Sequence, residues 1–346
     1  MNIDLVLMCS LFISYFCKIN GIKMKQLFAF IFFGLILLSS CHQQKIDVSS
    51  VTPPITIGHF DHAFFAMDSM NFTSDLQALK KDFPDFFRTD QDEAELKKRF
   101  LDPQIRELYN AVDTSFMDLS LLDDKIYHAF QHLYHYFPTH KPMRIHTWVS
   151  NFERLDPILV SDQSLLISLD MYLGPDAHFY QTAPNYIKQG FDKKYLLTDM
   201  FSAYFSASLP LSDDNSLLAS MLHYGKIHYL TSLMLPDASE EMVMGYAPQK
   251  MSWCFENESD VWAYFIENKL LFSSMQENKR RFIEDAPFSK FNTHFDRETP
   301  GRIGRWMGWN VIRSYMKANP EKSLIELMNE LDAQKILRES RYKPKS

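Results

Sequence analysis

Residues 27 to 38, LFAFIFFGLILL, are twelve apolar residues without a charge, preceded by Met24-Lys25 and closing in Leu38-Ser39-Ser40-Cys41. A helix needs about 20 such residues to cross a membrane. A short basic region, a short apolar core and small residues are the order of a signal peptide. The closing tetrapeptide looks like a bacterial lipobox, in which the thiol of Cys41 takes an acyl chain and cleavage makes it the new N-terminus. An uncleaved anchor with an incidental cysteine is the alternative. Residues 1–23 form a second apolar run whose first basic residue is Lys18, so a translation start at Met24 makes them a mis-assigned extension. On this reading residues 24–40 are the signal peptide, and neither segment enters the fold.

Removing Lys18, Lys23, Lys25 and Asp4 from the 36 basic and 43 acidic residues of the full chain leaves a net charge of −9. An acidic chain with no basic block is a poor partner for nucleic acid or for anionic headgroups. Membrane attachment then has to come from the lipid on Cys41, where each buried methylene contributes about 0.8 kcal/mol and several acyl chains make the anchor stable. Of the four cysteines only Cys254 lies beyond Cys41, so the mature chain has no internal disulfide. Cys254, in MSWCFENE, reads as a small buried hydrophobe.

Residues 41–55 are polar up to Pro53-Pro54 and read as a flexible tether, and residues 56–346 as a single domain without repeats or a second linker. DKIYHAFQHLYHYFP puts Ile126, Phe130, Leu133 and Phe137 on one helical face. MRIHTWVS, DPILV and SLLISLDMYLG then alternate or run apolar and are rich in β-branched residues, which predicts a small antiparallel sheet over about 143–170. Further helices are expected at 193–208, 216–235, 258–273, 304–317 and 323–331. Helices, a small central sheet and helices again make an α+β class, mostly helical.

SLDMYLG, MLHYGKIHYL, WCFENESDVWAYFIENKLLF, APFSKF, TPGRIGRWMGWNVIRSYM and ILRESRYKP, in this order, resemble the gliding-motility lipoprotein family GldB from about His59 to Pro344. The resemblance implies a lipid-anchored, periplasm-facing component of the cell envelope, on the inner or the outer membrane, that serves bacterial gliding. It implies no chemistry and no cofactor. The same layout is similar, more distantly, to gluzincin-type zinc peptidases, with YLLTDMFSAYFSASLP in the place of the metal helix and LLASMLHYGKIHYL in that of the third-ligand helix. That makes a degenerate zincin-like fold the expectation.

Zinc hydrolysis needs two histidines one turn apart, a glutamate beside the first and a third ligand. Residues 193–210 contain neither histidine nor glutamate, and Tyr224 stands where the third-ligand glutamate would be. His223 and His228 are five residues apart, about 140° around a helix, which is too far for one ion. His128, His132 and His135 are better spaced, within about 60° of one another and opposite the apolar stripe. They form either a solvated helix face or a structural metal site, but with Ala129 where a base would be they make no hydrolytic one.

Two functional readings come from these residues. In the first, the chain is non-catalytic and binds an envelope protein or peptidoglycan through a groove lined by Asp170, Tyr172, Tyr224, Lys226, Glu258, Trp262, Arg302 and Trp306. In the alternative it is a cell-wall hydrolase using carboxylates near Glu258, in FENESDVWAYFIE, where Glu256, Asp260 and Glu267 are also found. The glycines of TPGRIGRWMGWNVIRSYM bear on the first. Gly304 and Gly308 fall on one helical face, each costing about 1 kcal/mol relative to alanine. Their spacing points either to a close backbone approach or to a groove, with Arg302, Arg305 and Arg313 available for carboxylates.

Overall fold

The computed structural model describes residues 46–87, 92–153, 156–293 and 296–345. The chain divides into two units, Met1–Asp47 and Val48–Ser346, and all that follows concerns the second. The extension, the signal peptide and the lipidation residue Cys41 lie outside the described residues. Part of the expected tether belongs to the domain. Val48 and Pro53 are buried, and the Val51 carbonyl accepts a hydrogen bond from Gln131 Nε2 at 2.9 Å. Two valines in the polar run supply the apolar surface that docks it.

Strand β1 (Ile55–His59) opens the domain, followed by five helices, α1 (Phe60–Phe65), α2 (Phe72–Asp82), α3 (Glu93–Leu101), α4 (Pro103–Ser115) and α5 (Leu119–Tyr136). The starts of α4 and α5 are held by aspartates. Asp102 Oδ1 accepts from the amides of Gln104 and Ile105 just before Pro103, and Asp118 Oδ1 accepts from Leu121 N. Ile126, Phe130 and Leu133 of α5 are fully buried, as their spacing implies. His132 is also buried, and only His128 and His135 stand in solvent, so the three histidines do not share one solvated face.

Strands β2 (Met143–Trp148), β3 (Ile158–Val160) and β4 (Ser164–Ser168) complete a four-stranded sheet in the order β1-β2-β4-β3. The class is α+β, yet the sheet is mixed where an antiparallel one was expected. Strand β2 runs parallel to both β1 and β4, and only the β3–β4 pair is antiparallel. The physical reason is that β3, though next in the chain, pairs at the sheet edge with β4 and not with β2, so no β2–β3 hairpin forms. β1 pairs with β2 across the whole α1–α5 crossover, which residues local to the sheet do not reveal.

The second half is helical: α6 (Asn185–Lys188), α7 (Leu196–Ser208), α8 (Leu217–Met234), α9 (Glu240–Met244), α10 (Pro248–Glu256), α11 (Glu258–Glu267), α12 (Gln276–Phe282), α13 (Ile303–Ala318), α14 (Leu324–Asn329) and α15 (Ala333–Ser340). Helix α11 stops six residues short of the expected Ser273. Lys269 takes φ 55°, and the following segment turns back so that the carbonyls of Ser273 and Leu271 receive the Leu217 and Leu218 amides at 2.9 and 2.8 Å. These are first-turn amides of α8 that have no partner within their own helix.

Helix α8 is buried on almost every side, which its apolar character all round the axis requires. Ile227, Leu230 and Met234 enter a core shared with the sheet, α5 and α7. Leu217, Leu218, Met221 and Leu222 enter another, built with α10–α13 and α15. The packing of α8 on α13 has the two backbones in contact. A methyl group on Gly308 would stand 1.8 Å from the Met221 carbonyl oxygen, and one on Gly225 would stand 2.4 Å from the Gly308 carbonyl carbon. Of the two readings of the glycine spacing, close approach is the one realised at Gly308. Trp306 and Trp309, both fully buried, lie beside it on α13.

Gly308→Ala should therefore destabilise the protein by roughly 2 kcal/mol or more, because overpacking outweighs the ~1 kcal/mol that alanine contributes to helix propensity. Urea unfolding measures it. An unchanged midpoint would show that the two helices can separate without loss.

Candidate functional site

Helix α8 carries three buried polar side chains, Lys226, His228 and Thr231. The helix is set by Ser216, whose Oγ accepts from Ala219 N at 3.1 Å, while Asp214 Oδ1 accepts from Ser216 N at 2.8 Å. His228 packs beside Trp309 with ring centroids 5.9 Å apart, and burial pushes its pKa down to about 3, so it is a neutral core residue. His223 is only half-buried and lines a surface cavity. The two are apart in environment, as their separation along the helix requires.

That cavity measures about 370 Å³ and lies between the loop before α8, one face of α8, α12 and the turn joining α14 to α15. Tyr224 and Lys226 of the expected groove both line it. Lys226 is 4% exposed and its Nζ donates to the Glu330 carbonyl oxygen at 2.5 Å. Burial lowers its pKa to about 8, against a smaller opposing pull from Glu330. Behind Tyr224 the Arg305 guanidinium stacks on the phenol ring at 4.0 Å from its centroid.

The arginines expected to read carboxylates are committed inside the protein. Arg302, held at φ 60° at the start of α13, donates to the Met244 carbonyl at 3.1 Å and pairs with Asp285 at 3.2 Å. Arg305 donates to the Ile283 carbonyl at 2.7 Å and reaches Asp285 at 3.5 Å. Arg313 pairs with Glu240 at 2.8 Å and covers the Trp309 ring at 3.7 Å.

The other expected groove residues fall elsewhere. Asp170 is fully buried and its carboxylate accepts from Ser150 N, Ser150 Oγ and Phe152 N, which holds Asn151 and Phe152 at φ 56°. Tyr172, equally buried, donates to Asp199 Oδ2 at 3.0 Å. Asp199 in turn lies in the field of Arg302. Trp306 is fully buried in the helical core. Glu258 is 4% exposed and accepts from Tyr342 Oη at 2.6 Å, and Trp262 packs edge-on against the same tyrosine. The eight residues are thus distributed over a cavity pair, a buried turn, a tyrosine–aspartate link, the Arg302–Asp285 ion pair, the helical core at Trp306 and a tail clamp.

On α5, His128 and His132 have ring centroids 5.2 Å apart, but His128 Nδ1 is engaged by Gln131 Oε1 at 3.0 Å and His135 turns to Tyr136. Among the described residues no group of three His, Cys, Asp or Glu side chains is arranged to hold a metal ion. Cys254 is buried and burial pushes its thiol pKa far up, which keeps it protonated and unreactive. A larger and more apolar cavity of about 750 Å³ opens between α5 and the start of α7, with exposed Met117 and Leu121 at its mouth.

Reasoning from the sequence passed over Asp199 and Tyr342. Asp199 is the single acid of the expected metal helix, and that was the signal available. Burial raises its pKa from 3.8 to about 7, with the Tyr172 hydroxyl and Arg302 opposing. Below about pH 4 it is protonated in both folded and unfolded chains. As pH rises from about 4 to 7 the unfolded chain releases the proton first, so folding loses stability across that window. Asp199→Asn, which still accepts from Tyr172, should equal the parent near pH 4 and exceed it in stability at pH 8. Urea midpoints at the two pH values measure this, and a variant less stable at pH 8 would contradict it.

Among the described residues no helix is long and apolar enough to cross a membrane. No curated protein and no solved structure matches the chain. A family model described as gliding motility protein GldB matches residues 41–344, which is most of the sequence. With nearly the whole domain inside that match, the chain belongs to the GldB family of gliding-motility proteins.

Proposed function

We propose that this chain is a lipid-anchored, periplasm-facing envelope component that serves gliding motility by binding an envelope partner rather than by catalysis. The observation that carries the reading is the family match, which begins at Cys41 itself, the cysteine of the lipobox-like Leu38-Ser39-Ser40-Cys41. The cavity beside Tyr224 and Lys226 is the surface that fits the binding role, being concave and partly polar.

The hydrolase alternative draws no support from Glu258. A catalytic carboxylate must reach the scissile bond, and this one is buried under the Tyr342 hydroxyl. Its neighbours Glu256, Asp260 and Glu267 are exposed. Glu258 therefore does not share with them the solvent-open cleft that acid and base chemistry needs.

The anchor is tested with the full chain expressed in a bacterial host. Cys41→Ser should abolish incorporation of radiolabelled palmitate and move the protein from the membrane fraction to the soluble periplasmic one. Retention in the membrane fraction, with or without label, would overturn the lipid-anchor reading.

A further inference from the structure

The cavity on α8 has an unusual balance of charges. Its walls carry Lys226 and His223 from α8, Asp214 from the preceding loop, Lys279 and Glu284 from α12 and the chain after it, and Glu330 from the turn before α15. Each carboxylate already has a donor. Asp214 accepts from Ser216 N, Glu284 accepts from Gln276 Nε2 at 3.1 Å, and Glu330 accepts from Asp332 N and from Lys335 Nζ. The two ammonium groups are not matched in this way. Among the described residues Lys279 has no ion pair or side-chain hydrogen bond, and the Glu330 carbonyl is the single acceptor that Lys226 has for three N–H donors.

A buried ammonium with donors left over is costly, because each donor without an acceptor loses its hydration for nothing in return. A carboxylate entering the cavity would accept those donors and restore the charge balance, and a charge-assisted bond of that kind is among the stronger ones available. The rest of the wall suits a peptide. Asn215, Ser220 and Gln276 put polar groups on the wall, and Leu209, Leu222 and Ile336 offer apolar surface for one small side chain. A volume of about 370 Å³ lies in the range of pockets that enclose small ligands.

We infer that this cavity receives the free carboxylate end of a peptide, with Lys226 as the buried counter-ion and Lys279 as the second cation at the wall. The inference rests on the partner-binding reading above and narrows it to a chemical class, since envelope partners present such ends on protein C-termini and on cell-wall peptides. Arg302, Arg305 and Arg313 take no part, being held by Asp285, by backbone carbonyls and by Glu240.

The ligand needs the charged form of Lys226. Binding should be nearly flat from about pH 6.5 to 7.5 and should weaken towards tenfold per pH unit above the lysine's pKa of about 8. His223 does not share that window, because burial lowers its pKa from 6.5.

The test is calorimetric titration of the full chain in detergent micelles with N-acetyl-alanyl-alanine, with its C-terminal amide, and with inorganic phosphate. The acid is expected to bind at least about tenfold more tightly than the amide and than phosphate, and to lose that advantage in Lys226→Met. Lys279→Ala, on the cavity wall, should weaken the acid several-fold with the circular-dichroism spectrum unchanged, which keeps the test open if Lys226→Met fails to fold. Equal affinity for acid and amide, or no effect of either substitution, would overturn the assignment. Phosphate binding as tightly as the acid would overturn it too, leaving an unselective anion site. If none of the three ligands binds while the protein still carries palmitate at Cys41, the peptide-end inference fails and the envelope reading stands.

Discussion

The backbone contact between α8 and α13 is the constraint on which the rest of the molecule depends. It requires Gly225 and Gly308 to face each other, since a methyl group at either would collide with main-chain atoms of the opposite helix. Brought that close, α8 becomes the partition between a core formed with the sheet and a core formed by the later helices. Its position also fixes what lies at each end of the contact. Tyr224 and Lys226 are delivered to the surface cavity, and the start of α13 places Arg302 and Arg305 around Asp285.

A helix buried on all sides can carry ionisable groups only where a neighbour supplies a partner or the group gives up its charge. His228 takes the second course and stays neutral. Lys226 takes the first in part, through one carbonyl. Arg305 is satisfied by a carbonyl, a carboxylate and the face of Tyr224 together. Arg305 thus has a carboxylate counter-ion and an aromatic face where Lys226 has a single carbonyl, and that difference separates a structural cation from one with charge left for a ligand.

Much of this was legible in the sequence where the cause was local. The apolar spacing of α5 and the glycine spacing in α13 each encode a feature that the fold then shows. Features with distant causes were not legible. The direction of β2 depends on β1, on the far side of the whole α1–α5 crossover. Glu258 looks like an acid available for chemistry until Tyr342, 84 residues later, closes over it. Asp170, Tyr172 and Trp306 have the residue types of a binding groove, yet a buried turn, a tyrosine–aspartate link and a core contact claim them. Residue type alone does not separate a polar group that serves a ligand from one that serves the backbone.

The account's central claim is that the chain works by binding through the α8 cavity and not by carboxylate chemistry at α11. The most direct measurement is colony spreading of a gliding strain in which its own GldB-family gene is replaced by this chain carrying either Lys226→Met or Glu258→Gln, with membrane levels checked by immunoblot. The account expects the glutamine variant to spread as the parent does, and the methionine variant to accumulate normally without spreading. Normal spreading by Lys226→Met together with loss of spreading by an abundant Glu258→Gln protein would contradict it.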